Sequence, residues 1–237
     1  MTRFGLIGYP IDGSGSPALF GRAYPGSGWT YDLIEGSDFE KSWQTFLSSY
    51  QAINITSPFK ETAFARIISD GGRLSPECEE TGAVNIAVKT SEGVVGYNSD
   101  YMAVRRLLAR EGFSSGDVAV IAGYGGAGKA AAAAARSLGM DVTVCNRTSR
   151  PLGNGSSTRP LEELPLLAGI ADILIYTLPG PVPEIGDGSC CCPAILEANY
   201  KTPSLEGAAQ KYISGRQWLL EQARSGYALM TGEEPLL

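Results

Sequence analysis

The segment 117–139, DVAVIAGYGGAGKAAAAAARSLG, narrows the fold more than any other stretch of the chain. DVAVIAG is a continuous apolar run, which suits a strand buried on both faces. Gly123, Gly125 and Gly128 then form G-x-G-x-x-G. The alanine run that follows is a strong helix former, and Gly139 is placed to end it. In a chain with 30 glycines such a match alone is weak. Here it follows an apolar strand and opens a helix, as a dinucleotide-binding turn must. The first glycine permits a tight turn, the second lets the backbone approach a pyrophosphate, and the third lets helix and strand pack closely. Gly123, Gly125, Gly126, Ala127 and Gly128 are therefore candidates for holding a pyrophosphate at a helix N-terminus, where free N–H groups and the dipole favour negative charge.

The next strand, MDVTVCNR, ends where dinucleotide binders choose their cofactor. NAD binders usually carry a carboxylate there for the ribose hydroxyls. This chain has Asn146, Arg147, Thr148, Ser149 and Arg150, with no carboxylate. Arg147 can pair with a 2′-phosphate and stack on adenine, and Thr148 and Ser149 can donate hydrogen bonds. The loop predicts NADP.

Strands are expected over 3–8, 30–34, 52–56 and 83–88, with helices over Pro17–Tyr24, Asp38–Ser49 and Glu61–Ile68 between them. That alternation predicts an α/β domain with a mostly parallel sheet. Asp100–Arg110 reads as a long helix. Beyond the glycine motif, Leu161–Leu167 reads as a short helix, ADILIYTLP and AILEANY as strands, and Gly215–Tyr227 as a last helix. The Gly180–Ser189 stretch reads as a Gly/Pro-rich loop. The chain thus divides into an α/β domain over 1–101, a Rossmann domain over 102–212, and a C-terminal helical segment over 213–237 returning to the first, with a cleft between the domains.

Composition removes several classes. The formal net charge of −6 argues against nucleic acid or an anionic membrane as a partner. No run of about eighteen apolar residues exists, and the N-terminus lacks a signal peptide's apolar stretch, so a cytoplasmic protein is expected. Cysteines stand at 78, 145, 190, 191 and 192, without zinc-ligand spacing, and read as buried thiols rather than a metal site. Histidine is absent. Proton transfer must then fall to Lys, Asp, Glu, Tyr or Cys. None of the eleven tyrosines is followed four residues later by lysine, which removes the Tyr-x-x-x-Lys arrangement of short-chain dehydrogenases.

Six short motifs, in order, carry a resemblance. They are Gly8-Tyr9-Pro10 through Ser14-Gly15-Ser16-Pro17; Asn54-Ile55-Thr56-Ser57-Pro58-Phe59-Lys60; Gly82-Ala83-Val84-Asn85; Gly96-Tyr97-Asn98-Ser99-Asp100; Asn146-Arg147-Thr148; and Gln222-Ala223. Together they resemble the shikimate dehydrogenase family. The resemblance implies NADP-dependent, reversible reduction of 3-dehydroshikimate to shikimate, in aromatic amino acid biosynthesis. It implies Lys60 as proton donor and acceptor, at a helix start whose dipole disfavours a cation, with Asp100 holding Lys60 and the substrate hydroxyl. Ser14 and Ser16 would bind the substrate carboxylate, Thr56, Asn85 and Gln222 the ring hydroxyls, and Tyr200 would close the pocket. Gly215 joins the cofactor residues. No metal is implied, the partner is a small molecule, and the assembly is a monomer or homodimer. Where the family usually has His-Asn after Ser-Pro, this chain has Phe20-Gly21, and where a methionine is common it has Trp218, so both bear on the pocket's shape. Rival readings are a quinate/shikimate dehydrogenase and a non-catalytic NADP-binding sensor; retention of both Lys60 and Asp100 speaks against the sensor.

Overall fold

The computed structural model describes residues 1–152, 156–180, 185 and 192–237. Cys190, Cys191 and all but Gly180 and Ile185 of the Gly/Pro-rich loop lie outside the described residues. The chain forms two compact units, Met1–Ser99 with Gln222–Leu237, and Asp100–Glu221.

In the first unit the order is β1 (Arg3–Gly8), α1 (Ser16–Ala23), β2 (Thr30–Glu35), α2 (Phe39–Ser49), β3 (Ala52–Ile55), α3 (Lys60–Ser69), β4 (Arg73–Leu74), α4 (Pro76–Thr81), β5 (Ile86–Thr90) and β6 (Gly93–Tyr97). The sheet runs β2-β1-β3-β5-β6-β4. β1 pairs in parallel with β2 and β3, whereas β5 pairs antiparallel with both β3 and β6. The period-2 alternation of β1 divides the core. Phe4 and Leu6 join Phe20, Tyr24, Tyr31, Ile86 and Tyr227 on one face. Ile7 joins Trp43, Phe46, Ile53, Ile55 and Ile67 on the other. α2 starts where the Asp38 carboxylate accepts from the Lys41 N–H (3.2 Å), satisfying one of the helix's free donors.

The second unit continues with α5 (Ser99–Arg110), followed by β7 (Val118–Ala122), α6 (Gly126–Ser137), β8 (Asp141–Asn146), β9 (Arg159–Pro160), a 3₁₀ turn at Leu161–Glu163, α7 (Leu164–Ala168), β10 (Ile173–Tyr176), β11 (Ala194–Glu197), β12 (Lys211–Ile213) and α8 (Gly215–Thr231), whose last residues belong to the first unit. The sheet order is β12-β11-β10-β7-β8-β9, and every strand pairing in it among the described residues is parallel. This is the Rossmann arrangement of helices on both faces of a parallel sheet. Ala119 and Ile121 of β7 face α5 and α6, and Val120 and Ala122 face the α7 side. Ala130 through Ala135 are all buried, because an alanine face lets α6 lie close to the sheet. Gly139, at φ +78, closes α6 in a conformation that costs other residues a steric clash.

The sequence places the elements from β1 to α3, and α5, β7 and β8, within two residues. It misses α4, β4, β6, β9 and β12. The strand expected over 83–88 forms at Ile86–Thr90, because Val84 is tied to α3 instead, its N–H donating to the Lys60 carbonyl (3.0 Å).

Candidate functional site

In the first unit the candidates gather where β1 and β3 end, the edge at which open α/β sheets bind ligands. The Thr56 N–H donates to the Ile7 carbonyl (2.9 Å) and the Tyr9 N–H to the Ser57 carbonyl (3.1 Å), so the loops after the two strands are stitched together. Gly8 is required there: a Cβ would stand 2.4 Å from Cγ2 of Thr56. The peptide bonds Tyr9–Pro10 and Ser57–Pro58 in these loops are cis. Ser14 and Ser16 are adjacent, Oγ of Ser14 donating to Oγ of Ser16 at 3.1 Å, and both are half-buried. Beneath them Tyr31 donates to Oδ1 of Asn54 (2.7 Å) and Tyr227 to the Ser16 carbonyl (3.4 Å). Burial raises the pKa of both phenols, so they remain neutral.

Lys60 is the first residue of α3 and is half-buried. Asn85 lies beside that helix start, next to Val84, and is 1% exposed. Its backbone is held from both sides, the Ile55 N–H donating to its carbonyl (2.8 Å) and its own N–H donating to the Tyr97 carbonyl (3.0 Å). Its side-chain Oδ1 accepts from the Ser99 N–H (2.7 Å) and from Ser99 Oγ (3.2 Å). The amide that the sequence offered for a ring hydroxyl therefore already has its oxygen engaged at the start of α5. Asp100 follows Ser99 in the first turn of that helix and is 7% exposed. Gln222 is half-buried on α8.

Phe20, which departs from the family's pattern, is core. It packs against Tyr31 at 4.9 Å and against Tyr24 and Tyr227 at 5.1 Å between ring centroids.

In the second unit the glycine turn has the geometry its spacing predicts. Gly123 has φ +95, and a Cβ there would lie 2.7 Å from Oγ1 of Thr177. A Cβ on Gly128 would stand 2.0 Å from the Gly123 carbonyl, so only glycine lets α6 pass so close to β7. Gly125 differs: its position is an allowed one, and nothing lies within 4 Å of where its Cβ would be. That open space before the first N–H groups of α6, at Gly126 and Ala127, fits a pyrophosphate. Asn146 joins this turn to the next loop, its Oδ1 accepting from the Tyr124 N–H (3.1 Å) and its Nδ2 donating to the Thr148 carbonyl (2.8 Å). Arg147 and Thr148 are exposed beside it, a fit for a charged phosphate on the ribose.

Tyr200 is 39% exposed, in a turn that the Asn199 side chain closes through both Thr202 and the Lys201 N–H. Gly215 begins α8 against the same segment: a Cβ would lie 2.6 Å from the Ala198 carbonyl. Trp218 is buried in the core of this unit with Leu196 and Ile213. Cys78, Cys145 and Cys192 are buried thiols, and burial pushes Cys78 up to about 12 and Cys145 to about 11. Among the described residues no cluster could hold a metal ion, and no helix is long and apolar enough to cross a membrane. Residue type alone assigns no role to Thr177 or Asn98. Thr177 shows itself only by standing directly after a buried strand; Asn98 shows itself by lying inside a motif.

Residues 6–87 match the profile of the shikimate dehydrogenase substrate binding domain. A shikimate dehydrogenase (NADP(+)) of Halobacterium salinarum is 30% identical over 98% of this chain and 94% of its own length. The chain belongs to the shikimate dehydrogenase family. A second member, the shikimate dehydrogenase (NADP(+)) of Thermus thermophilus, is 33% identical over 62% of this chain, an alignment spanning 56% of that protein. The crystal structure of shikimate 5-dehydrogenase from Thermus thermophilus in complex with NADP(H) and shikimate superposes with a TM-score of 0.79 at 26% identity, covering 99% of this chain and 95% of that one. The shared fold holds both α/β units of the family.

Proposed function

We propose that this chain is an NADP-dependent shikimate dehydrogenase, interconverting 3-dehydroshikimate and shikimate. One observation carries the cofactor choice. A glycine turn open at Gly125 is joined through Asn146 to an exposed Arg147-Thr148 loop with no carboxylate. Family membership carries the substrate, together with the pair of adjacent serines and the half-buried Lys60 at the strand ends.

NADPH, when bound, supplies the hydride for ketone reduction. The chain's own residues do the rest. Ser14 and Ser16 donate to the carboxylate, which anchors the ring. Thr56, Gln222 and the Nδ2 of Asn85 contact ring hydroxyls; a hydroxyl-binding site rejects a deoxy analogue because its polar groups are left unpaired. Lys60 gives its proton to the ketone oxygen as that oxygen becomes an alkoxide, and takes it back in the oxidative direction. Asp100 holds the Lys60 ammonium and the reacting hydroxyl by charge-assisted hydrogen bonds. Tyr200 covers the substrate. With no histidine in the chain, no imidazole can take the proton-transfer role in its place.

The test is reduction of NADP by the purified protein with shikimate, run beside quinate and beside NAD. Turnover with shikimate and NADP supports the reading. Turnover favouring quinate, or NAD over NADP, assigns a different member of the family. Absence of turnover with all pairs overturns the enzymatic reading.

A further inference from the structure

The substrate half contains a buried polar network that the chemistry above does not use. Asn98 is 1% exposed. Its Nδ2 donates to Oγ1 of Thr81 (3.1 Å) and to the Ala83 carbonyl (3.2 Å). Its backbone N–H donates to Oε1 of Glu77 (3.4 Å), which also accepts from Oγ of Ser75 (2.5 Å). Thr81, 3% exposed, is fixed in turn by donating to the Glu77 carbonyl (2.8 Å). α4 thus offers a set of acceptors to one asparagine in the segment between β6 and α5. On either side of Asn98 the same segment is bound to Asn85, through the Tyr97 carbonyl and through the Ser99 N–H. Three consecutive residues are pinned, and Asp100 is the next.

Burying this much polarity is costly unless each group is paired, and a satisfied network fixes a single arrangement. Solvent exposure gives no reason for it, and an apolar residue at 98 would serve packing alone. The arrangement instead sets where α5 begins and how its first turn is rotated, and the Asp100 carboxylate projects from that turn. We propose that Asn98, held by Thr81 and the Ala83 carbonyl, is a positioning residue for Asp100. This rests on the reading of Asp100 as a group that holds Lys60 and substrate. Asn98 acts through the backbone: losing its amide lets the start of α5 rotate, and the carboxylate loses its alignment without loss of its charge.

The experiment compares Asn98→Ala, Asp100→Asn and the double variant in shikimate oxidation by NADP. A misplacement of about 1 Å at a reacting group costs on the order of 100-fold. The expected result is a fall in kcat of at least about tenfold for Asn98→Ala, with the NADPH dissociation constant and binding stoichiometry unchanged. The double variant should be no slower than Asp100→Asn, because both act on one group and their effects do not add. A purely structural role would reduce the bound NADPH per chain or multiply the two losses. Full kcat in Asn98→Ala, or additive losses, overturns the proposal while leaving Asp100 in place. Full kcat in Asp100→Asn overturns the reading of Asp100 itself, and the proposal with it. Should Asn98→Ala fail to fold, Thr81→Val removes the Thr81 acceptor of its amide at nearly constant shape. Its kcat must then fall while NADPH binding holds, and an unchanged kcat refutes the proposal.

Discussion

Replacing Gly128 with alanine tests the cofactor turn at its most constrained point. The added Cβ would meet the Gly123 carbonyl at 2.0 Å, and ordinary contact begins near 3.4 Å, so α6 and the turn must separate by about 1.4 Å. Neither side can yield locally. The obstacle is backbone, and Gly123 is itself packed against Thr177 and Leu178. Overpacking of this kind costs about 1–3 kcal/mol, partly offset by the roughly 1 kcal/mol that alanine gains over glycine inside a helix. At about 2–4 °C per kcal/mol for a chain of this size, melting should fall by a few degrees. The larger effect is on binding. A turn displaced by more than an ångström loses hydrogen bonds to the pyrophosphate, each worth about 1.5–3 kcal/mol when the acceptor is charged, which is roughly 10- to 100-fold in affinity. NADPH fluorescence titration and a thermal melt measure the two together. Gly125→Ala is the control, because it meets nothing within 4 Å and its backbone is in an allowed region. It should keep the melting temperature yet weaken NADPH, since its methyl group enters the space left for the phosphates. A Gly128→Ala protein with unaltered melting and affinity would refute the reasoning, and so would a Gly125→Ala protein that loses stability instead of binding.

Lys60→Ala should lower kcat by about 100- to 10,000-fold, the usual contribution of a positioned proton donor, while NADPH and shikimate still bind in equilibrium titrations; normal turnover removes Lys60 from the chemistry. Arg147→Ala should raise the KM for NADP by roughly 10- to 100-fold, as expected for losing a charge-assisted phosphate contact, and leave the KM for NAD nearly unchanged; equal effects on both would place Arg147 away from the 2′-phosphate. Cys78 and Cys145, whose thiols burial pushes to about 12 and about 11 from an ordinary 9.0, should resist iodoacetamide at pH 8 in the native state, and mass spectrometry showing rapid labelling would contradict that burial. The same shifts carry a pH dependence. The unfolded thiols release protons first, so their contribution to stability is whole below about pH 9 and declines as pH rises toward 11 to 12. The urea midpoint of Cys145→Ala should therefore fall less than that of the parent between about pH 9 and 11.

The sequence shows the Rossmann half readily because its signals are local. An apolar run, three glycines at fixed spacing and an alanine helix each predict the same unit, and Gly128 and Gly139 occupy the positions their residue type requires. The first half is harder. Its β4, like β9 and β12 of the Rossmann half, has only two or three residues, too short for any period to emerge. The β5–β6 hairpin breaks the expected alternation of strand and helix, and α4 is a six-residue acidic helix, PECEET, with little apolar pattern. Among the candidates, Ser14 and Ser16 turn out adjacent, as their spacing suggests. Asn85 and Asn146 show what sequence withholds. Both are amides that a motif offers to a ligand, and in both the side-chain oxygen accepts from a backbone N–H of the protein. Which partner an asparagine selects is decided by tertiary geometry, and residue type alone is silent on it.

The bridge made by Asn146 has a bearing on redesign. Because one side chain grips the amide of Tyr124 and the carbonyl of Thr148, the glycine turn proposed for the pyrophosphate and the loop proposed for the ribose are tied to each other. Exchanging Arg147 and Thr148 for an acidic, NAD-favouring sequence should be workable only while residue 146 remains an asparagine. Altering 146 along with its neighbours would loosen the grip on every dinucleotide, and a change of preference would be mistaken for a loss of fold.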